Sequence, residues 1–596
     1  MPLYSAPASD CELGAFLLDI GEGQAVAVGD FKGWMSRTPF RICESAMGTA
    51  AHKTRPYGYG IEMLEDNGRR LCVGQNPSRH PLMSAVAAIG RQLHATSVSG
   101  GRVAEFRKVG HFLAGKIMEE INCSLDGNTI RPVLTRQLFD ELLSHKPKLF
   151  RDEVWEMHEN ALIGRVDRDY RKAGAFVKQE DSHKSDLRRT IKPRAISTMT
   201  PEMYVLALPA LLAQHLLYNT PVLRQWMTKG KTKAEVYDMV VAIINQKHRS
   251  QDVSGFEKAM TVEMRILEIE LVTEILKTLG LSVNAAYVQR VMLASRKIRT
   301  KYYSYSVDVR CSGDYWTSLG NGLANICIIL TGHYVKHGRG RTLEEWWVEA
   351  QDLKFVTEGD DALIPESVVD QDTTRELMME LSLSTAADRP GGADFLKTAF
   401  YPVFNSTGDH AGRLGNTLRW CRSLMFVRGH PLRLGKARFL WRAKALSLLY
   451  LAPNHPIITS LCYRIDELTR GTRWFKGAEE LSRKWGVDWA ALGDIEKPFP
   501  RGPDWEVSDV LRTALACSTC PELPPISVAN QLIMEDIFRN WSPGQGVQIC
   551  GEWRSYPEYG SAMSGERLEP EMIIGEFKDP VVRALWACML TPPPLS

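Results

Sequence analysis

Val262, Ile266, Ile269, Val272, Leu276 and Leu279 recur at spacings of three and four, so they put one apolar stripe on a long helix. Gly280 stands where a C-terminal cap belongs. A loop written CSGDYWTSLGNG opens a second apolar helix over about 316–335. The most apolar stretch, Met203–Asn219, carries Pro209, Gln214 and His215 and is too short to span a bilayer, so it reads as a buried helix. A different pattern runs from 352 to 365, DLKFVTEGDDALIP. Two short apolar runs flank Gly359, Asp360 and Asp361, which predicts a tight strand–turn–strand. From about 111 to 250 helical patterns alternate with polar loops, and beyond 400 the chain reads mostly helical. Residues 1 to about 110 are mixed and Gly-rich, without an interpretable motif.

Composition changes this picture only a little. At 596 residues the chain is too long for one compact core, so several subdomains are expected. A net charge of +3 means that any affinity for nucleic acid must come from local patches. Two such patches exist. The segment 171–194, read as a loop, holds eight Lys or Arg against three acids. The segment Ala411–Lys444 holds nine Lys or Arg and no acid, interleaved with Trp420, Phe426, Phe439 and Trp441. Aromatics in such a stretch are more often core than base-stacking platforms, so only its charges are assigned to a phosphate backbone. The twelve cysteines have no repeating spacing; Cys517 and Cys520 form the one close pair and are read as structural. Free thiols suit a reducing compartment, and the N-terminus lacks the basic segment and apolar run of a secretory signal.

Three polar clusters stand in order along the chain. Asp252 and Glu257 form the first, Ser312, Gly313, Thr317 and Asn321 the second, and Asp360 with Asp361 the third. Each taken singly suits a turn or a helix cap. Together they suit more. Asp252 and Asp360 each end a short extended segment, so a sheet can bring them side by side. Two carboxylates from different strands are what Mg²⁺ ions need when substrate phosphates and water complete the shell. Thr317 and Asn321 are four residues apart and share a helix face, which offers a hydroxyl and an amide to a sugar hydroxyl, with Glu257 as a further acceptor. Lys178, Lys192 and Arg194 supply charge for a triphosphate and its pyrophosphate leaving group.

The ordered series FVKQE…IKPR, DVSGFE, SGDYWTSLGN, EGDD and DFLKTAF resembles the motifs of RNA-directed RNA polymerases of positive-strand RNA viruses, most closely the tombusvirus-like group and its nodavirus-like relatives. The match covers about 175–405. The resemblance implies an α+β fold, mostly helical outside the palm: a closed right hand of fingers, palm and thumb with an antiparallel palm sheet. It implies a nucleotidyltransferase that uses Mg²⁺, with Mn²⁺ as a substitute. Asp252, Asp360 and Asp361 would be the metal ligands. Glu257 and Asn321 would select the ribose, Ser312, Gly313 and Thr317 would position template and nucleotide, and Lys178, Lys192 and Arg194 would line the triphosphate entry. Lys397 would face the nascent strand from a primer-grip turn, and Arg419, Arg422, Arg428, Arg433 and Arg438 would contact RNA.

By position, 1–110 would be an N-terminal extension bridging fingers and thumb or recruiting the chain to a replication membrane. Fingers would occupy 111–250, palm 251–405 with a fingers insertion at about 265–305, and thumb and tail 406–596. Partners would be an RNA template and nascent strand, nucleoside triphosphates and other viral replication proteins. The setting would be the host cytoplasm, at membrane-associated complexes reached without a transmembrane segment of the chain's own. Three departures from the family pattern stand out. Glu257 replaces the usual Asp, Glu358 adds a third carboxylate beside the aspartates, and no lysine follows the hairpin near Thr385 and Arg389, where a proton donor to pyrophosphate often sits. Two other readings remain at this level: a non-catalytic RNA-binding replication scaffold with a degenerate palm, and a reverse transcriptase. Intact Asp252 and Asp360 disfavour the first; Glu257 and Asn321, set for a 2′-hydroxyl, disfavour the second.

Overall fold

A computed structural model describes residues 102–126, most of 135–162, most of 195–381, and 410–427, 434–478, 493–518 and most of 523–556, with short segments within 41–75, 172–182 and 393–404. The fold is mixed α+β and mostly helical. Two large hydrophobic cores divide it. One is built from residues between Phe106 and Leu381, the other from residues between Leu414 and Tyr556.

The first core centres on three helices, Arg102–Asp126, Ile266–Thr278 and Thr317–His337, each packed against the other two. The helix Arg102–Asp126 runs through residue 110, so it belongs with the elements that follow. The apolar stripe expected from Val262 onward starts later. Val262 is 42% exposed, and Glu263–Arg265 form a 3₁₀ turn because the buried Arg265 turns inward to donate to the Met292 carbonyl at 2.7 Å. From Leu267 to Leu276 more than one stripe is buried, since neighbouring helices cover several faces. Gly280 does end the helix. Its φ is +80°, the Leu281 N–H reaches the Leu276 carbonyl at 2.8 Å, and the Gly280 N–H reaches Lys277 at 2.9 Å, a Schellman pair.

Met203–Asn219 is buried as expected but is two helices, Pro201–Ala207 and Pro209–Asn219. Pro209 has no N–H to give the Val205 carbonyl, so the ladder breaks there. Among the described residues no helix is long and apolar enough to cross a membrane.

The second apolar helix, expected over 316–335, is Thr317–His337 and is buried over most of its length. Its His333 lies 5% exposed, with Nδ1 accepting the indole N–H of Trp346 at 2.9 Å. Burial, with repulsion from His337, Lys336 and Arg341, pushes the His333 imidazole down to about 4 against the pull of Glu349. The unfolded chain, with an ordinary value near ~6.5, therefore binds the proton first as pH falls. Stability from this group is complete above about pH 6.5 and is lost towards pH 4, about 3 kcal/mol in all. Denaturant titrations at pH 7.5 and 4.5 should give a smaller loss in His333→Gln than in the parent; equal losses would remove His333 as the cause.

A five-stranded mixed sheet runs Arg41–Ile42, Tyr303–Val307, Arg296–Arg299, Lys172–Val177, Ala195–Met199, and only the Arg296–Arg299/Lys172–Val177 pair is parallel. The basic segment 171–194 is thus not all loop. Small residues of Lys172–Val177 let that strand pair closely, and a Cβ on Gly174 would come within 2.7 Å of Thr198 Oγ1. Short N-terminal strands tie distant parts together. Tyr59–Gly60 pairs with Phe426–Val427, Leu64–Glu65 with Val547–Gln548, and Gly74–Gln75 with Asp181–Ser182.

In the second core Trp420, Phe439 and Trp441 are buried, as core aromatics. Arg442, from the acid-free segment, is buried too. It pairs with Asp466 at 2.7 Å and donates to the Ile495 and Lys497 carbonyls, so its charge is structural.

Candidate active site

The strand–turn–strand expected over 352–365 is present. Val356–Glu358 and Asp361–Pro365 pair antiparallel around the two-residue turn Gly359–Asp360. Gly359 has φ +62°, a left-handed value at the first central position, where glycine carries no Cβ penalty. The third strand, His248–Asp252, pairs with Asp361–Pro365 in a register that sets Asp252 directly opposite Asp361. The sheet therefore does join the two aspartate segments, but the direct cross-strand pair is Asp252 with Asp361, with Asp360 on the turn beside it. Opposite positions in such a ladder have Cα atoms about 4.5–5.5 Å apart.

A buried amide holds this arrangement. Asn325, fully buried, accepts from Gln251 Nε2 at 3.1 Å and donates to the Gly359 and Asp360 carbonyls, each at 3.4 Å. One side chain thus links the turn to the residue preceding Asp252. Gly322, one turn earlier on the same helix, leaves room for this approach; a Cβ there would come within 2.7 Å of Met227 Cε and 3.9 Å of the Gly359 nitrogen. The opposite edge of the hairpin is held by the 226–228 segment, through Thr357 N–H to Trp226 O at 2.7 Å and Thr228 N–H to Thr357 O at 3.1 Å.

Glu358, the extra carboxylate, falls in register with Asp361. Its oxygens are engaged elsewhere, by Thr228 Oγ1 at 2.6 Å, Ser318 Oγ at 3.2 Å and Lys229 Nζ at 3.7 Å. The register thus sets two aspartate positions, Asp252 and Asp361, opposite one another. An all-oxygen donor set of this kind fits a hard cation such as Mg²⁺, with Asp252, Asp360 and Asp361 as the residues that would hold it.

The second cluster is built on a loop that only glycine allows. Gly313 has φ +111°, and a Cβ there would run into the Ser197 carbonyl. The Ser312 carbonyl accepts the Ser197 N–H at 2.7 Å, which fastens the loop to the five-stranded sheet. Buried Asp314 meets Arg296 at 3.7 Å. Ser312 Oγ donates to Glu257, and Thr317 Oγ1 donates to the Cys311 carbonyl at 3.1 Å. Glu257, Ser312 and Thr317 are thus brought together in one region, with Ser312 as the partner of Glu257. Asn321 differs. It is 5% exposed, and its Oδ1 is buried with no hydrogen-bond partner among the described residues. A buried acceptor left unmet costs about 1–3 kcal/mol, so the position is one that a hydroxyl donor would stabilise.

Lys178, Lys192, Arg194, Lys397, Arg428 and Arg433 lie outside the described residues, as do Thr385 and Arg389; Asp252 and Arg422 are described by backbone alone. The strands around the expected primer-grip turn, Ala393–Phe395 and Thr398–Phe400, pair with Phe395 opposite Thr398, and Ala393–Phe395 lies beside His248–Asp252. Arg419 is half-buried; Arg438 is exposed and donates to the Leu468 carbonyl at 2.8 Å. Sequence reasoning missed Asn325, Thr228, Ser318 and Lys229. Asn325 had a signal, a second amide one turn beyond Asn321 in an otherwise apolar LANICIIL run. Thr228 and Lys229 had none, since only the fold brings them to Glu358. No protein-family model and no curated protein matches the chain.

Proposed function

We propose that this chain is an RNA-directed RNA polymerase of a positive-strand RNA virus, built as a closed right hand. It would copy RNA by nucleotidyl transfer from nucleoside triphosphates. The observation that carries the reading is the register of Asp252 opposite Asp361, with Asp360 on the adjoining two-residue turn. The pairing of strands from 41–75 with both 181–307 and 426–548 supports an N-terminal segment that bridges fingers and thumb.

In the reaction the 3′-hydroxyl of the growing strand attacks the α-phosphate and pyrophosphate leaves. Magnesium held by Asp252, Asp360 and Asp361 would supply charge stabilisation for the attacking and leaving oxygens. Asn325 and Gln251 keep the turn and the neighbouring strand in fixed relation, so the carboxylates need not reorganise as charge develops. The buried Oδ1 of Asn321 accepts the 2′-hydroxyl of the incoming ribonucleotide, and Ser312 holds Glu257 through its hydroxyl.

The test is extension of a primed RNA template by the purified chain, with ribonucleotides or deoxynucleotides, with and without Mg²⁺. Metal-dependent incorporation of ribonucleotides is expected. No incorporation alongside salt-sensitive RNA binding would replace the enzyme with a scaffold, and a preference for deoxynucleotides would make it a reverse transcriptase. In the same assay Asn321→Ala should lower the preference for ribose over deoxyribose by about 10–100-fold. An unchanged ratio would take sugar recognition away from Asn321.

A further inference from the structure

We propose that the C-terminal half carries a second anion site, a cleft whose lining does not include the paired aspartates and which binds a 5′-triphosphate group. The inference goes beyond the polymerase reading and does not rest on it. The cleft, about 450 Å³, lies between the first turn of the Leu434–Leu451 helix and the 470–475 loop. Four of its lining residues are cations, Lys436, Arg438, Arg470 and Arg473, and none of the described lining residues is an acid.

Three features separate this cluster from an ordinary solvated basic face. First, none of the four cations is paired with a carboxylate among the described residues, although other arginines of the same region are. Arg464 meets Glu467 at 2.9 Å, and Arg442 meets Asp466 at 2.7 Å. Glu496, the carboxylate bound nearest to this loop, accepts the Trp474 backbone N–H at 2.8 Å and does not line the cleft. Second, two of the cations are held in place. Arg438 is oriented by its bond to the Leu468 carbonyl, which leaves other guanidinium N–H groups free to donate, and Lys436 lies over the Phe475 ring at 5.3 Å, with that ring edge-on to Phe439. Third, the helix that opens the cleft has no acid in its first turn, so its N-terminal N–H groups and dipole favour an anion.

Four like charges around one cleft repel each other, and a single phosphate offsets only part of that. A triphosphate, with up to four negative charges, matches the set, and the volume suits a group of nucleotide size. Convergence on one cleft also favours a compact polyanion over an RNA backbone, which needs cations spread along a track. A free nucleoside triphosphate and the 5′ end of an unprocessed RNA present the same chemistry.

The experiment is equilibrium binding to the full chain in EDTA, which removes divalent metal from the aspartates. The probes are inorganic tripolyphosphate, ATP, and a short RNA with either a 5′-triphosphate or a 5′-hydroxyl. Tripolyphosphate should bind, with affinity falling about tenfold or more in the exposed pair Arg470→Gln/Arg473→Gln and also in Lys436→Gln, from the other wall. Triphosphorylated RNA binding better than ATP assigns the RNA end; the reverse assigns the free nucleotide. Unchanged tripolyphosphate affinity in both variants overturns the site. Equal binding of the two RNAs, lost equally in the variants, overturns the triphosphate in favour of a backbone contact.

Discussion

Asp360→Ala should lower template-directed ribonucleotide incorporation about a thousandfold or more while leaving the thermal midpoint of the chain unchanged. The size follows from the role: charge stabilisation at both reacting oxygens is worth several kcal/mol, and each ~1.4 kcal/mol is tenfold in rate. Retention of the fold follows from the geometry. Asn325 holds the turn through the backbone carbonyls of Gly359 and Asp360, and alanine keeps both. Gly359, not Asp360, carries the left-handed φ. Asp252→Ala, on the facing strand, should lose activity to the same order. Primer extension on both variants, with unfolding curves beside it, is the check. Parental rates in Asp360→Ala would sink the metal assignment, and a collapsed unfolding transition would make the aspartate structural instead.

The largest effect on stability should come from the ion pair beneath the second helix. Arg310 and Glu268 are 1% exposed each and bonded to one another, and Arg310 also donates to the Trp316 carbonyl at 3.3 Å. Gly320 lies so close that a Cβ there would run into both side chains. Arg310→Met leaves the Glu268 carboxylate buried without its cation, and losses of about 3–5 kcal/mol are typical of that change. Glu268→Leu added to it should restore most of the stability, because two apolar side chains fill the space without a buried charge. Urea titrations of the single and double variants measure this. A double variant no more stable than Arg310→Met would mean that the arginine acts mainly through Trp316, holding the loop that carries Ser312.

Such a pair also marks how far the sequence could be read. The hairpin around Gly359–Asp360 was legible because local chemistry decides it: short apolar runs on either side and a residue type that tolerates positive φ. The apolar helix beginning at Thr317 was legible for the same kind of reason, and its Asn321 is buried on it. Glu268, by contrast, looks like a solvated charge within ILEIELV, and nothing local announces that Arg310 lies against it. Lys172–Val177 was hidden by the basic residues around it; its pairing with Ala195–Met199 is a tertiary fact. That a sheet joins the Asp252 and Asp360 segments was legible, but that Asp361 is the residue directly opposite Asp252 was not, since register depends on which side of the turn the ladder closes. Glu358 looked like a threat to the aspartates because Thr228 and Lys229, which hold it, lie roughly 130 residues earlier in the chain.

The strands within 41–75 bear on how the molecule comes into being. Leu64 pairs with Val547, and Tyr59 with Val427, so apart from the local Leu64–Asp66/Arg69–Arg70 hairpin these strands wait for their distant partners until most of the chain has left the ribosome. At ordinary elongation rates of ~5–20 residues per second, the wait between Leu64 and Val547 is roughly 25–100 s. During that interval the strand edges are open to pairing with the wrong neighbour. The first core is made within one continuous stretch and can condense early, with Arg41–Ile42 and Gly74–Gln75 pairing inside it, whereas joining Tyr59–Gly60 and Leu64–Glu65 to 426–427 and 547–548 is a late, high-contact-order step. Nascent chains arrested shortly before residue 547 should therefore hold a protease-resistant 102–381 unit while cleavage persists around residues 64–70, whose outer strand edge still lacks Val547–Gln548.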